Sequence, residues 1–201
     1  MGGGSNLRGA LERLRFGPLR TLNVRAGQLS GAEAARRVDR WLRSKQVELT
    51  GEVHIITGRG AGSPGGIPVV RDASLRTLRS LVRQGVIRDV RADTAGSFIV
   101  RLAPLRALLE APARRRTETP PPPHRAETIL GLETDTRVAL RTLAVRALES
   151  LGVGIDDALV TAEMERQFTV LVRAAPTGPS PDRWLRAAMD RALLEYNDAL
   201  H

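Results

Sequence analysis

The sequence predicts an α/β fold, a βαβαββ domain followed by a small mainly helical module, and three observations carry that reading. The first is Val53-His54-Ile55-Ile56-Thr57-Gly58-Arg59-Gly60, an apolar run entering a glycine turn. Such a run suits a central strand covered on both faces. The second is a pair of amphipathic stretches flanking that run, each closed by a glycine, as helices between strands would be. The third is a break: Ala111-Pro112-Ala113-Arg114-Arg115-Arg116 leads to Pro120-Pro121-Pro122-Pro123, a stiff spacer that joins neither helix nor sheet.

Taken in order, Met1-Gly2-Gly3-Gly4-Ser5 reads as a flexible arm or an expression remnant. Leu7, Leu11 and Leu14 then share one face of a short helix that stops near Gly17-Pro18, so residues 1–19 form an N-terminal arm. The first strand is Thr21 to Arg25. Ser30 caps a helix whose apolar stripe is Ala34, Val38, Trp41 and Leu42, with Arg36, Arg40 and Arg43 on its other side, ending before Gly51. The central strand, Val53 to Thr57, opens a glycine- and proline-rich loop from Gly58 to Arg71. A second helix, about Ala73 to Gln84, points Leu75, Leu78 and Val82 inward and Arg76, Arg79 and Arg83 outward. Val86 to Arg91 and Ser97 to Leu102 follow as an antiparallel pair joined by Asp93-Thr94-Ala95-Gly96. Right-handed crossovers put the two helices on one face of a mixed sheet, or one on each, with the binding loop at the strand C-terminal edge.

Residues 20–110 are thus the α/β domain, 111–126 an Arg/Pro-rich linker and 127–201 a helical module. In that module Thr136 to Leu151 is amphipathic through Leu140, Leu143, Ala147, Leu148 and Leu151. Asp156 caps a helix reaching about Arg173, although Phe168 to Val172 also suits a strand. Pro181 opens a last helix with Trp184, Leu185, Ala188, Ala192 and Tyr196 on one side.

The net charge of +9 is unevenly placed. Residues 1–116 carry 22 Lys+Arg against 9 Asp+Glu, and residues 117–201 carry 9 against 13. Lys45 is the only lysine, and arginine's planar fork suits bidentate phosphate contact. Without cysteine there is no thiolate chemistry, and without an apolar run near 18 residues the sequence predicts a cytoplasmic protein with no membrane partner.

The glycine turn invites an anion, because bare backbone approaches a ligand closely and Arg59 can meet its charge. Gly60-Ala61-Gly62-Ser63-Pro64-Gly65 has the spacing of a dinucleotide fingerprint, but Pro64 and Pro68 stand where a helix must follow at once. A Walker loop is excluded for want of a lysine followed by serine or threonine, so no cofactor is predicted. His54, His124 and His201 have no metal-ligand spacing, and no metal is predicted either. The few aromatics form no interleaved platform for stacking single-stranded bases.

From Arg20 to Pro104, the order of elements, the loop Ile55-Ile56-Thr57-Gly58-Arg59-Gly60 and the closing strand Phe98-Ile99-Val100 together resemble the small MutS-related (Smr) domain family. The resemblance implies a two-layer fold similar to the C-terminal domain of translation initiation factor three, binding of DNA or RNA, and, in some members, endonuclease activity. The family's His-Gly-x-Gly motif corresponds to Thr57-Gly58-Arg59-Gly60 with the histidine replaced, followed by a glycine pair at Gly65-Gly66. Its Leu-Asp-x-His motif corresponds to Leu22-Asn23-Val24-Arg25, with amide for acid and arginine for histidine. Asparagine cannot move protons near neutral pH and arginine effectively never does, so the expected activity is nucleic-acid binding with weak or no hydrolysis.

The binding residues so assigned are Asn23, Arg25, Thr57, Gly58, Arg59, Gly60, Arg76, Arg79 and Arg83; Thr57 and His54 are the candidates left for catalysis. A lone histidine in an apolar strand equally suits a satisfied core position. Two other functions remain open: a protein-interaction adaptor that docks or self-associates through residues 127–201, and an active endonuclease with a rearranged site.

Overall fold

The computed structural model describes residues 15–27, 29–48, 51–60, 68–110, 129–176 and 181–199. The element order is β1 (Thr21–Asn23), α1 (Gly31–Glu48), β2 (Glu52–Ile56), α2 (Val69–Arg83), β3 (Ile87–Thr94), β4 (Ser97–Leu102), α3 (Leu105–Glu110), α4 (Thr134–Ser150), α5 (Asp157–Ala174) and α6 (Pro181–Ala199). Short 3-10 turns stand at Pro18–Arg20 and Ile129–Gly131. The chain forms two compact units: Met1–Leu42 with Thr50–Ala103, and Arg43–Leu49 with Pro104–His201. The expected Leu7, Leu11 and Leu14 helix, the Gly65-Gly66 pair and the polyproline linker lie outside the described residues.

Unit 1 is a four-stranded mixed sheet of order β1-β2-β4-β3. β1 runs parallel to β2, with Leu22 beside Ile55, and β4 is antiparallel to both β2 and β3. β1, β2 and β3 therefore point the same way, and both crossovers step across the sheet in one direction. Right-handed connections then place α1 and α2 on the same face. Gly31 shows them side by side, since a Cβ there would sit 3.1 Å from Val69 Cγ1 and 3.3 Å from Ala73 Cβ. Val53, His54 and Ile55 are all buried, so β2 is covered on both faces. Its helix-free face is closed over His54 by Phe16, whose ring stacks 5.4 Å from the imidazole.

Local chemistry sets the element ends. β1 stops at Asn23, two residues earlier than its pattern predicts, because Asn23 Oδ1 accepts from the N–H groups of Arg25 (3.0 Å) and Ala26 (3.4 Å) and turns the chain. α1 starts on a capping box: Glu33 N–H donates to Ser30 Oγ at 3.3 Å, and Ser30 N–H donates to Glu33 Oε2 at 2.8 Å. The Ser30 hydroxyl, which donates to Glu33 Oε2 at 2.7 Å, and the Ser30 N–H together hold the Glu33 carboxyl below its ordinary range. α2 begins at Val69 rather than near residue 73, directly after Pro68, which cannot sit inside a helix but suits its edge. Its buried residues are Ala73, Ser74, Leu78 and Leu81; Val82, expected inward, is 39% exposed because the core-facing stripe falls one position earlier. β3 starts at Ile87 and runs on to Thr94, three residues further than expected, while β4 keeps its expected bounds, which leaves Ala95-Gly96 as the turn.

Unit 2 gathers Val47 from the end of α1 with Leu105, Leu109, Leu140, Leu143, Phe168, Leu171, Trp184, Leu185, Met189 and Tyr196. Phe168 to Val172 is helical, within α5, and Asp156 caps that helix by accepting from Leu159 N–H at 2.8 Å. Two expectations fail here. Leu151 is 69% exposed, because the helix ends at Ser150 and the chain turns away. Arg43, expected on the solvent side of α1, is buried: its guanidinium donates to Ala174 O at 2.7 Å, while its own carbonyl accepts from Trp184 Nε1 at 3.1 Å. Because Arg43–Leu49 belong to this unit, its boundary does not follow the linear order of the sequence, and α3 belongs to it as well.

Candidate functional site

Asn23, Arg25, Thr57, Gly58, Arg59 and Gly60 converge where β1 and β2 end, since parallel neighbours finish at one edge of the sheet. The glycines have particular tasks there. Gly58 sits at φ +76, and a Cβ on it would meet the Arg25 stem at 3.2 Å, so the arginine lies across the bare backbone. Gly60 sits at φ +85 and packs on Pro68; a Cβ there would come within 2.7 Å of Pro68 Cα. The N–H groups of Thr57 and Gly58 both donate to Gly96 O, at 2.9 and 3.0 Å. Gly58 N–H is therefore engaged inside the fold, and the expectation that it reaches a ligand is corrected. The turn is built on the β3–β4 hairpin, and Gly96 is its hub, a role no sequence motif marks.

Both candidates for catalysis are buried. Thr57 is 4% exposed and its hydroxyl donates to Gly96 O at 3.2 Å. His54 is 3% exposed, on the helix-free face, with Nε2 3.5 Å from Asp93 Oδ2. Burial pushes the imidazole below its ordinary pKa, partly opposed by Asp93. Asp93 also accepts from Ser97 Oγ at 3.1 Å, and Ser97 Oγ lies 2.7 Å from Thr94 Oγ1, so these side chains form a polar cluster beside His54.

The cationic side chains remain accessible. Arg25 and Arg59 are exposed, and neither forms an ion pair among the described residues. Asn23 gives its side-chain oxygen to the turn, where it accepts from the N–H groups of Arg25 and Ala26. Arg76, Arg79 and Arg83 are also exposed, but at about 1.5 Å per residue they lie roughly 10 to 21 Å along α2 from its start. The turn and these arginines are thus not one cluster. Arg71, expected at the end of the glycine- and proline-rich loop, lies in α2 and is structural: its Nε donates to Ala95 O at 2.9 Å and its guanidinium lies 4.9 Å over the Phe98 ring. At the far end of β2, Glu52 gathers Arg15, Arg91 and Arg101 on the helix-free face, at 2.7, 3.1 and 3.4 Å.

Charge follows the division into units. Unit 1 holds 16 arginines against 7 acidic residues, whereas unit 2 holds 15 basic and 15 acidic residues. The whole net charge of the chain therefore resides in unit 1. Among the described residues no group of three or more His, Asp or Glu could hold a metal ion, and no helix is long and apolar enough to cross a membrane. No family model, curated protein or solved structure matches the chain.

Proposed function

We propose that unit 1 binds DNA or RNA by its phosphates, as the Smr resemblance implies, with weak or no endonuclease activity. The observation that carries this reading is the concentration of the net positive charge in one α/β unit, with Arg25 and Arg59 together and accessible at the sheet edge. Phosphate contacts of this kind position a nucleic acid without reading its sequence. Weak hydrolysis is supported by the absence of a proton-transfer group at Asn23 and Arg25, by the burial of His54, and by the bond from Thr57 Oγ1 to Gly96 O. The test is binding of single- and double-stranded DNA and RNA at two salt concentrations, with Arg59→Ala beside the parent. Removing one charge-assisted contact should cost about 1 to 3 kcal/mol of affinity. Unchanged affinity in folded Arg59→Ala protein would remove the turn from the site, and robust, metal-stimulated cleavage would restore the rearranged-site nuclease.

A second reading, a protein-interaction adaptor acting through residues 127–201, draws on the exposed Leu151, Val153 and Ile155 between α4 and α5 and the exposed Leu159 in the first turn of α5. Leu151→Asp with Ile155→Asp should abolish any association of the full chain with itself if that run mediates it.

A further inference from the structure

We infer that the outer face of the α1–α2 layer is a docking surface for the backbone of duplex nucleic acid, an inference that rests on unit 1 being a nucleic-acid binder. The side chains of α1 that face the sheet are Ala34, Val38 and Leu42, all fully buried. At 100° per residue, Arg36 and Arg40 stand about 160° from the middle of that stripe. On α2 the buried set is Ala73, Ser74, Leu78 and Leu81, and the same count puts Arg76, Arg79 and Arg83 about 140 to 160° away. All five arginines are exposed, and none forms an ion pair among the described residues.

Because both helices return against parallel strands, they run in the same direction. The contact of Gly31 with Val69 and Ala73 fixes their relative height. Five residues beyond Gly31, Arg36 comes level with Arg76, and one turn later Arg40 comes level with Arg79. The face thus carries two parallel rows of guanidinium groups, and packed helices hold such rows roughly 8 to 10 Å apart. Its carboxylates are Glu33 and Asp72, both exposed in the first turns, while the half-buried Asp39 stands at the side of α1. The acidic residues therefore lie between the glycine turn and the arginine rows, which makes the rows a surface separate from Arg25 and Arg59.

Two rows match two backbones. A duplex presents phosphates on both sides of its minor groove, which is about 6 Å wide, whereas a single strand has one line of charge and needs stacking platforms for its bases. Among the described residues no such platform adjoins the rows. Phe16 and Phe98 are buried, and Trp41 is half-buried beside the core-facing stripe of α1.

The experiment uses the full chain, a short mixed-sequence DNA duplex and its separated strands, with binding followed by fluorescence anisotropy across a salt series. The variants are Arg36→Gln with Arg40→Gln, and Arg76→Gln with Arg79→Gln and Arg83→Gln. Arg173→Gln with Arg183→Gln removes exposed charge from unit 2 as a control. Glutamine keeps helix propensity close to arginine's, and circular dichroism checks the fold. Duplex should bind more tightly than either strand, and each row variant should lose about 0.9 from the log-log salt slope per phosphate no longer neutralised, with the control slope unchanged. A duplex slope that survives both row variants overturns this surface and leaves the reading of unit 1 intact, as does equal binding of single strands. No salt-dependent binding by the parent protein overturns both.

Discussion

Replacing Gly60 with alanine separates a glycine required by the fold from one kept for a ligand. The residue stands at φ +85, and an added Cβ would lie 2.7 Å from Pro68 Cα and 2.9 Å from Pro68 N. Carbon atoms prefer 3.5 to 4.0 Å, so Pro68, the residue just before α2, has to shift by roughly an ångström. The left-handed conformation alone costs an L-residue roughly 1 to 2 kcal/mol, and overpacking adds roughly 1 to 3. Two further glycines calibrate the terms. Gly27→Ala, at φ +102 with nothing within 4 Å, should show the backbone cost alone. Gly58→Ala, at φ +76, meets only the flexible stem of Arg25 and should fall close to Gly27→Ala. The assay is urea unfolding with linear extrapolation, together with amide exchange of β2 to assign the loss to unit 1. Gly60→Ala should be the least stable of the three by at least about 1 kcal/mol. A Gly60→Ala protein as stable as Gly27→Ala would refute the steric account and return Gly60 to the ligand.

Leu81→Ala should destabilise unit 1 by about 2 to 5 kcal/mol, whereas Val82→Ala should cost under about 0.5, and equal losses in urea unfolding would contradict the burial of α2. Burial lowers the folded pKa of His54 below the unfolded value, so the unfolded state binds the proton more readily and stability is lost as pH falls below about 6.5. His54→Gln, neutral throughout, should lack that loss, and a constant stability difference from the parent between about pH 7.5 and 5 would count against it. Asp156→Ala should cost unit 2 about 1 kcal/mol and speed amide exchange at the start of α5; unaltered exchange would show that the cap contributes nothing.

Local chemistry made much of the fold legible in the sequence. Ser30 and Asp156 announce their helices because a cap bonds within its own first turn, and the hairpin of β3 and β4 follows from adjacent strands and a short turn. The site was legible only in part. Arg25 and Arg59 reach one edge because parallel strands end together, but the spacing gave no hint that Gly58 N–H bonds to Gly96, thirty-eight residues away in the sequence.

What the sequence by itself determined is therefore element type, approximate bounds and the excess of arginine, all properties that depend on neighbouring residues or on composition. Only the tertiary structure decided that both helices share one face of the sheet, that Arg43 is enclosed by Ala174 and Trp184, and that the end of α1 joins unit 2. The physical reason is that these outcomes rest on contacts between residues far apart in the chain. A helical pattern records which of its sides is apolar, but the same pattern serves whichever partner buries it.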